Sequence, residues 1–190
     1  MKVSGERPRR ADARRSVTAI LAAAEKTLGD NPDSTMEQIA EAAGVARTTI
    51  HRHFATRESL LETMMASALA DFRAAVEAAR PRTAPPLVAL HQVAANVLQV
   101  KRNWRFAFHG IPATPESART QAEMAEDCVA LLRRAQLAGL IDAAADLDWV
   151  RSVYYALIGQ VMEGGPWADA DVDKMASLVV DTVLHGAAPR

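Results

Sequence analysis

Apolar residues recur every three to four positions along most of the chain, a period that predicts helices rather than strands. Val17, Leu21, Ala24 and Leu28 share one face of a first helix, expected from Asp12 to Leu28. "GDNPDS" ends it, with Gly29 as a C-terminal breaker and Pro32 in a turn. Ser34 with Glu37, and Thr35 with Gln38, then offer two overlapping capping boxes. Met36, Ile39, Ala40 and Ala43 make the short apolar face of a second helix. Gly44 ends that helix, Val45 plugs the turn, and a third helix runs to about His53. Two short helices joined by a tight glycine-containing turn form a helix-turn-helix over about 34–53. Ala40 and Gly44 are four apart, and the pair is read as a close helix crossing that larger side chains would wedge open.

The same period continues to the end of the chain. It predicts a long helix from about Ser59 to the residues before Pro81, and another after Pro85 and Pro86. A short segment, "WRFAFHG", follows. A long helix stopped by Gly139 comes next, and two final helices fall in "DLDWVRSVYYALIGQVMEGG" and "ADVDKMASLVVDTVLHG". The fold class is therefore all-α. An N-terminal arm is expected at 1–11, a three-helix domain containing the helix-turn-helix at 12–58 and a C-terminal helical bundle at 59–190. From Val153 to Met162 only Gln160 is strongly polar, so that helix needs cover on every side. A subunit interface is one way to provide it, with Gly159 allowing close approach, and a central place in a monomeric bundle is the other. The expected interface residues are Val153, Leu157, Ile158, Val161, Leu178, Val179 and Val183.

Composition narrows the class. Hydrophobic content of 49% with 24% charged residues is ordinary for a packed globular chain. The single cysteine, Cys128, excludes an internal disulfide framework and fits a reducing, cytoplasmic setting. No apolar run reaches the length of a membrane-spanning helix. "RRSVTAILAAAEK" has the outline of a secretion signal, but Glu25 and Lys26 cut its apolar run, and an amphipathic first helix explains it better.

Charge is unevenly placed. Residues 1–57 hold ten Lys/Arg against seven Asp/Glu, and residues 58–190 hold twelve against sixteen. "RPRRADARR" alone carries five arginines. A basic end of this kind fits a polyanionic partner. The third helix sharpens the inference. With Ile50 facing the core, steps of about 100° per residue send Thr48 and Arg52 outward, with Thr49 and His51 beside them. Arg47 and His53 fall toward the core side or its edges. The outward face lacks Glu and Lys, the usual solvating pair, and carries groups that read base edges in a major groove.

Other chemistries find little support. His51 and His53 are two apart and leave a helix on different sides, so they cannot share one metal ion. "DADVD" at 169–173 resembles the start of a calcium loop, but Lys174 stands where glycine is needed and Val180 where the closing Glu belongs. Acids at a helix N-terminus explain it more simply. No phosphate loop, nucleophile elbow or HExxH pair occurs, so an enzyme on a helical bundle has no motif behind it. No metal or cofactor is expected.

"TMEQIAEAAGVARTTIHRHFATRESLLETMM" strongly resembles the DNA-binding domain of the tetracycline repressor (TetR) family. The resemblance covers roughly residues 12–65, and His51 replaces the family's usual tyrosine in the recognition helix. It implies a transcriptional regulator, most simply a repressor, that binds a double-stranded operator. By resemblance, Thr35, His53 and Arg57 would contact phosphates, and Arg47, Thr48, Thr49, His51 and Arg52 would face the groove. It also implies a C-terminal domain that binds a small-molecule effector and forms a homodimer, with no membrane association. Candidates to line that pocket are Trp104, Phe108, His109, Met124, Cys128, Tyr154, Tyr155, Met162 and Glu163, with Phe106 and Trp167 near them. A mainly apolar ligand anchored by one or two polar groups would suit them. A regulator with no small ligand, or an activator, is the alternative.

Overall fold

A computed structural model of the chain describes residues 6–112, 114–162 and 170–186, apart from the side chains of residues 6–11, His109, Glu116 and Met162. Among the described residues all regular structure is helical. The chain divides into two compact units. The first is Met1–Ala68 together with Trp104–Pro112, and the second is Leu69–Asn103 with Ala113–Arg190.

The first unit holds α1 (Glu6–Asp30), α2 (Met36–Ala42), α3 (Arg47–His53), the start of α4 (Arg57–Ala78) and α6 (Arg105–Gly110). α1 begins six residues before the expected start, inside the stretch read as an arm, and continues through Gly29. Glycine costs a helix only about 1 kcal/mol, and here tertiary contacts around the fully buried Leu28 override it. Ile20, Leu21, Ala24 and Leu28 of α1 meet Ile39, Ala40, Ile50, Phe54, Leu60 and Met64 in one core.

The two candidate capping boxes resolve in favour of Thr35. Its hydroxyl accepts from Gln38 N–H at 3.2 Å, and the Gln38 side chain accepts from Thr35 N–H at 2.7 Å. Ser34 is buried instead, donating to Asn31 O at 2.8 Å. The turn after α2 is a Schellman motif, with Gly44 N–H on Glu41 O and Val45 N–H on Ala40 O, each at 3.0 Å. Gly44 takes φ +66°, which a side chain resists. A Cβ there would meet nothing within 4 Å. The glycine serves backbone handedness, not the close crossing expected from its spacing to Ala40.

The second unit packs α5 (Pro86–Asn103), α7 (Pro115–Leu137), α8 (Leu147–Met162) and α9 (Val172–Gly186) around a separate core. Thr114 and Ser117 form the capping box of α7, and Gly139 at φ +76° closes it. Asp171 accepts the Lys174 N–H at 3.0 Å, so this acid of "DADVD" caps α9. Asp169 lies outside the described residues. The boundary expected at 58/59 falls inside α4, a continuous helix that runs from one unit into the other.

Candidate nucleic-acid interface

α3 is held inward by Ile50, fully buried, and by Phe54, nearly so, while Arg57 fastens the turn before α2. The Arg57 guanidinium donates through Nη1 to Ser34 O at 2.5 Å and through Nη2 to Pro32 O. Those two carbonyls lie just before the Thr35 cap, so Arg57 sets where α2 begins. The sequence reading gave Arg57 a phosphate. The structure engages both terminal nitrogens of its fork in the fold.

With Ile50 inward, Thr48, His51 and Arg52 are exposed and Thr49 is half-buried. Arg47 departs from the helical-wheel expectation. It stands at the first position of α3 and is exposed, with Nη2 2.9 Å from a carboxylate oxygen of Glu37. The same oxygen is 3.6 Å from His51 Nε2. The backbone N–H of Glu37 itself, in the first turn of α2, holds this carboxyl below the usual range, and Arg47 and His51 add to the lowering. His53 is half-buried, and its Nε2 is shut from solvent with no hydrogen-bond partner among the described residues. Thr35, expected on a phosphate, is exposed at the α2 N-terminus, where its hydroxyl accepts the Gln38 N–H.

The expected pocket residues separate. Trp104 packs partly buried on the core of the first unit with Phe106 and Ile111. Phe108 is half-buried in α6 of that unit, and nothing is described for the side chains of His109 and Met162 or for Glu163 and Trp167. In the second unit Met124, Cys128, Tyr154 and Tyr155 come together on α7 and α8. Tyr154 donates from its hydroxyl to Leu90 O at 3.0 Å, and burial pushes that hydroxyl well up. Tyr155 reaches Met124 O at 3.4 Å, and the Arg151 guanidinium sits 5.4 Å from its ring centroid. Burial raises the Cys128 thiol from 9.0 to about 11, against a smaller lowering by Tyr155 and Arg151.

The expected dimer residues also separate. Ile158, Val161, Val179 and Val183 are buried within the chain's own second core, so they are not free for a partner. Val153 and Leu157 are half-buried and Leu178 is exposed. Helical period had identified apolar positions without telling which side faces the same chain. Trp149 (69% exposed) and Tyr155 join Leu178 as large apolar side chains left open on α8 and α9. A Cβ on Gly159 would meet nothing within 4 Å in this chain.

An exposed, acid-free α3 fixed behind a capped α2 defines a helix-turn-helix DNA-binding protein. The family described as "Bacterial regulatory proteins, tetR family" matches residues 20–64. The HTH-type transcriptional repressor LfrR of Mycolicibacterium smegmatis is 33% identical over 146 residues, 76% of each chain. Its crystal structure in complex with proflavine (Mycobacterium smegmatis) superposes with a TM-score of 0.74 at 28% identity, covering 93% of this chain and 98% of that one. PfmR, a TetR-family regulator from Thermus thermophilus, gives 0.73 at 23% identity over 87% of this chain and 97% of that one. The chain belongs to the TetR family. It is a DNA-binding transcriptional regulator and not an enzyme. Among the described residues no helix is long and apolar enough to cross a membrane.

Proposed function

We propose that the protein is a homodimeric repressor that leaves a near-palindromic operator when a small, mainly apolar ligand binds its C-terminal unit. The observation that carries this reading is the exposed face of Thr48, His51 and Arg52 on α3. Two such heads related by a two-fold axis need two half-sites about one helical turn apart. Thr49 and Arg47 border the same face. Thr35 at the α2 N-terminus is the proposed phosphate contact, and Arg57 acts by holding that terminus. The exposed apolar residues Trp149, Tyr155 and Leu178, with the half-buried Val153 and Leu157 beside them, support a partner copy along α8 and α9.

The effector reading draws on the related LfrR, whose structure holds proflavine. A planar aromatic ligand suits the Met124, Cys128 and Tyr155 group, which offers an aromatic ring and polarizable sulfur. Such a ligand acts only through its different affinities for the operator-bound and released forms. α4 belongs to both units and is the covalent route by which a change in one reaches the other. The site of action is DNA in the cytoplasm.

The test begins by selecting operator duplexes from a random library with the purified protein. Proflavine and uncharged aromatics are then titrated against the complex. Release at concentrations matching ligand binding supports the reading. A ligand that binds tightly and leaves operator affinity unchanged refutes the switch.

A further inference from the structure

The surface formed by α2 and α3 carries a carboxylate beside two of the residues read as facing a polyanion. α3 has no acid, but Glu37 reaches it from the first turn of α2 and brings one oxygen to both Arg47 and His51. Glu37 is half-exposed, with 43% of its side chain accessible, and Arg47 is still more open at 73%. Neither is locked in place by burial. A carboxylate in this position repels every phosphate that approaches. It therefore lowers affinity for DNA in general and contributes nothing to generic binding.

We propose that Glu37 is a specificity-determining residue, one that withholds Arg47 and His51 from generic phosphates and holds the Arg47 fork ready for a base edge. The proposal rests on the placement of α3 in the major groove. Its physical logic has two parts. On arbitrary DNA, a phosphate at Arg47 is repelled by the adjacent Glu37 carboxylate unless Arg47 leaves it, so the net gain is small, whereas the neutral acceptors of a base meet no such repulsion. On the operator, Arg47 keeps Glu37 on one nitrogen. A guanidinium has five N–H donors, so others remain for the paired acceptors of guanine. A side chain already held in one geometry also loses less freedom on binding than a loose one. Both parts widen the gap between operator and other sequences. A purely structural role for Glu37, as an acid favoured at the start of α2, would leave that gap alone.

The experiment compares the wild-type protein, Glu37→Gln, Glu37→Asp and Arg52→Ala on the selected operator and on a scrambled duplex, across a range of salt. Circular dichroism and thermal melting confirm that each variant is folded. Glu37→Gln should bind the scrambled duplex more tightly and cut the operator preference about tenfold. Its salt slope on the scrambled duplex should steepen by about one, because the freed Arg47 neutralises an additional phosphate. Glu37→Asp keeps the charge but is too short to hold the fork. It should bind scrambled DNA with an affinity between those of the wild type and Glu37→Gln, because Arg47 is freed while the carboxylate still repels phosphates, and it should lose operator affinity. In the background of Arg47→Ala, Glu37→Gln should change the preference far less. An unchanged preference in Glu37→Gln, with Arg52→Ala still losing its own, overturns the role of Glu37 and leaves the placement of α3 intact. If Arg52→Ala also keeps its preference, the groove placement fails, and this inference with it.

Discussion

The carboxylate of Glu25 on α1 accepts the backbone N–H of Phe106 and, at 3.1 Å, that of Ala107. It thereby caps the start of α6, whose Trp104 neighbour supplies no side-chain cap. Glu25→Ala should leave those two N–H groups without a protein acceptor and cost about 2 kcal/mol of stability. Glu25→Gln should lose less, since its amide oxygen still accepts one bond. Urea unfolding gives the energies, and hydrogen exchange at Phe106 and Ala107 localises the effect. Wild-type protection at both amides in Glu25→Ala would contradict the cap.

Arg52→Ala and Arg57→Ala should fail differently. Arg52 is exposed on the outward side of α3, so its loss should cost on the order of 1–3 kcal/mol on the operator and little on scrambled DNA. Arg57 holds Pro32 O and Ser34 O. Its removal should lower the melting temperature and weaken binding to all sequences alike. Arg57→Lys should not rescue it, because one ammonium does not reproduce a planar two-pronged donor. Competition against scrambled duplexes separates the two patterns.

Leu178 and Val179 are adjacent but should behave as opposites. Val179 is 3% exposed in the core of the second unit, so Val179→Arg buries an unpaired charge and should unfold the protein. Leu178 is 47% exposed, so Leu178→Arg should stay folded and dissociate the proposed dimer. Sedimentation velocity with circular dichroism checks both. A wild-type protein that sediments as a monomer at micromolar concentration would remove the interface altogether.

Cys128 should be a slow thiol. With its acidity moved from 9.0 to about 11, it carries about a hundredth of the thiolate of an ordinary cysteine at pH 8. Alkylation by iodoacetamide should be slower by about that factor in the folded protein than in urea. The folded value is raised, so the associated stability is complete below about pH 9 and fades as pH climbs through about 11. Equal alkylation rates in the two states would contradict the burial of the sulfur.

The local parts of this molecule are legible in its sequence. The Thr35–Gln38 box, the Gly44 turn and the inward Ile50 each depend on residues only a few positions apart, and the period exposes them. The parts that escape depend on distant pairs. Glu25 and Phe106 are 81 residues apart, and neither carries a local mark of the other. Glu37 was missed beside Arg47 because the acid sits on α2, whereas the outward face was read from α3 alone. The α8 and α9 positions are hard to sort from sequence for a related reason. Period separates apolar from polar, but Val179 and Leu178 are both apolar, and only packing tells which one the chain covers itself.

The first unit is discontinuous in sequence. Its core is completed by Trp104, Phe106 and Ile111, which arrive on a short segment flanked by chain that belongs to the other unit. Exchanging DNA-reading heads between relatives by a single crossover after Ala68 would therefore splice two mismatched halves of one core. A workable graft must carry residues 104–112 with the head, or keep α1 and α6 from the same parent. By the same token, selection on α6 is also selection on α1.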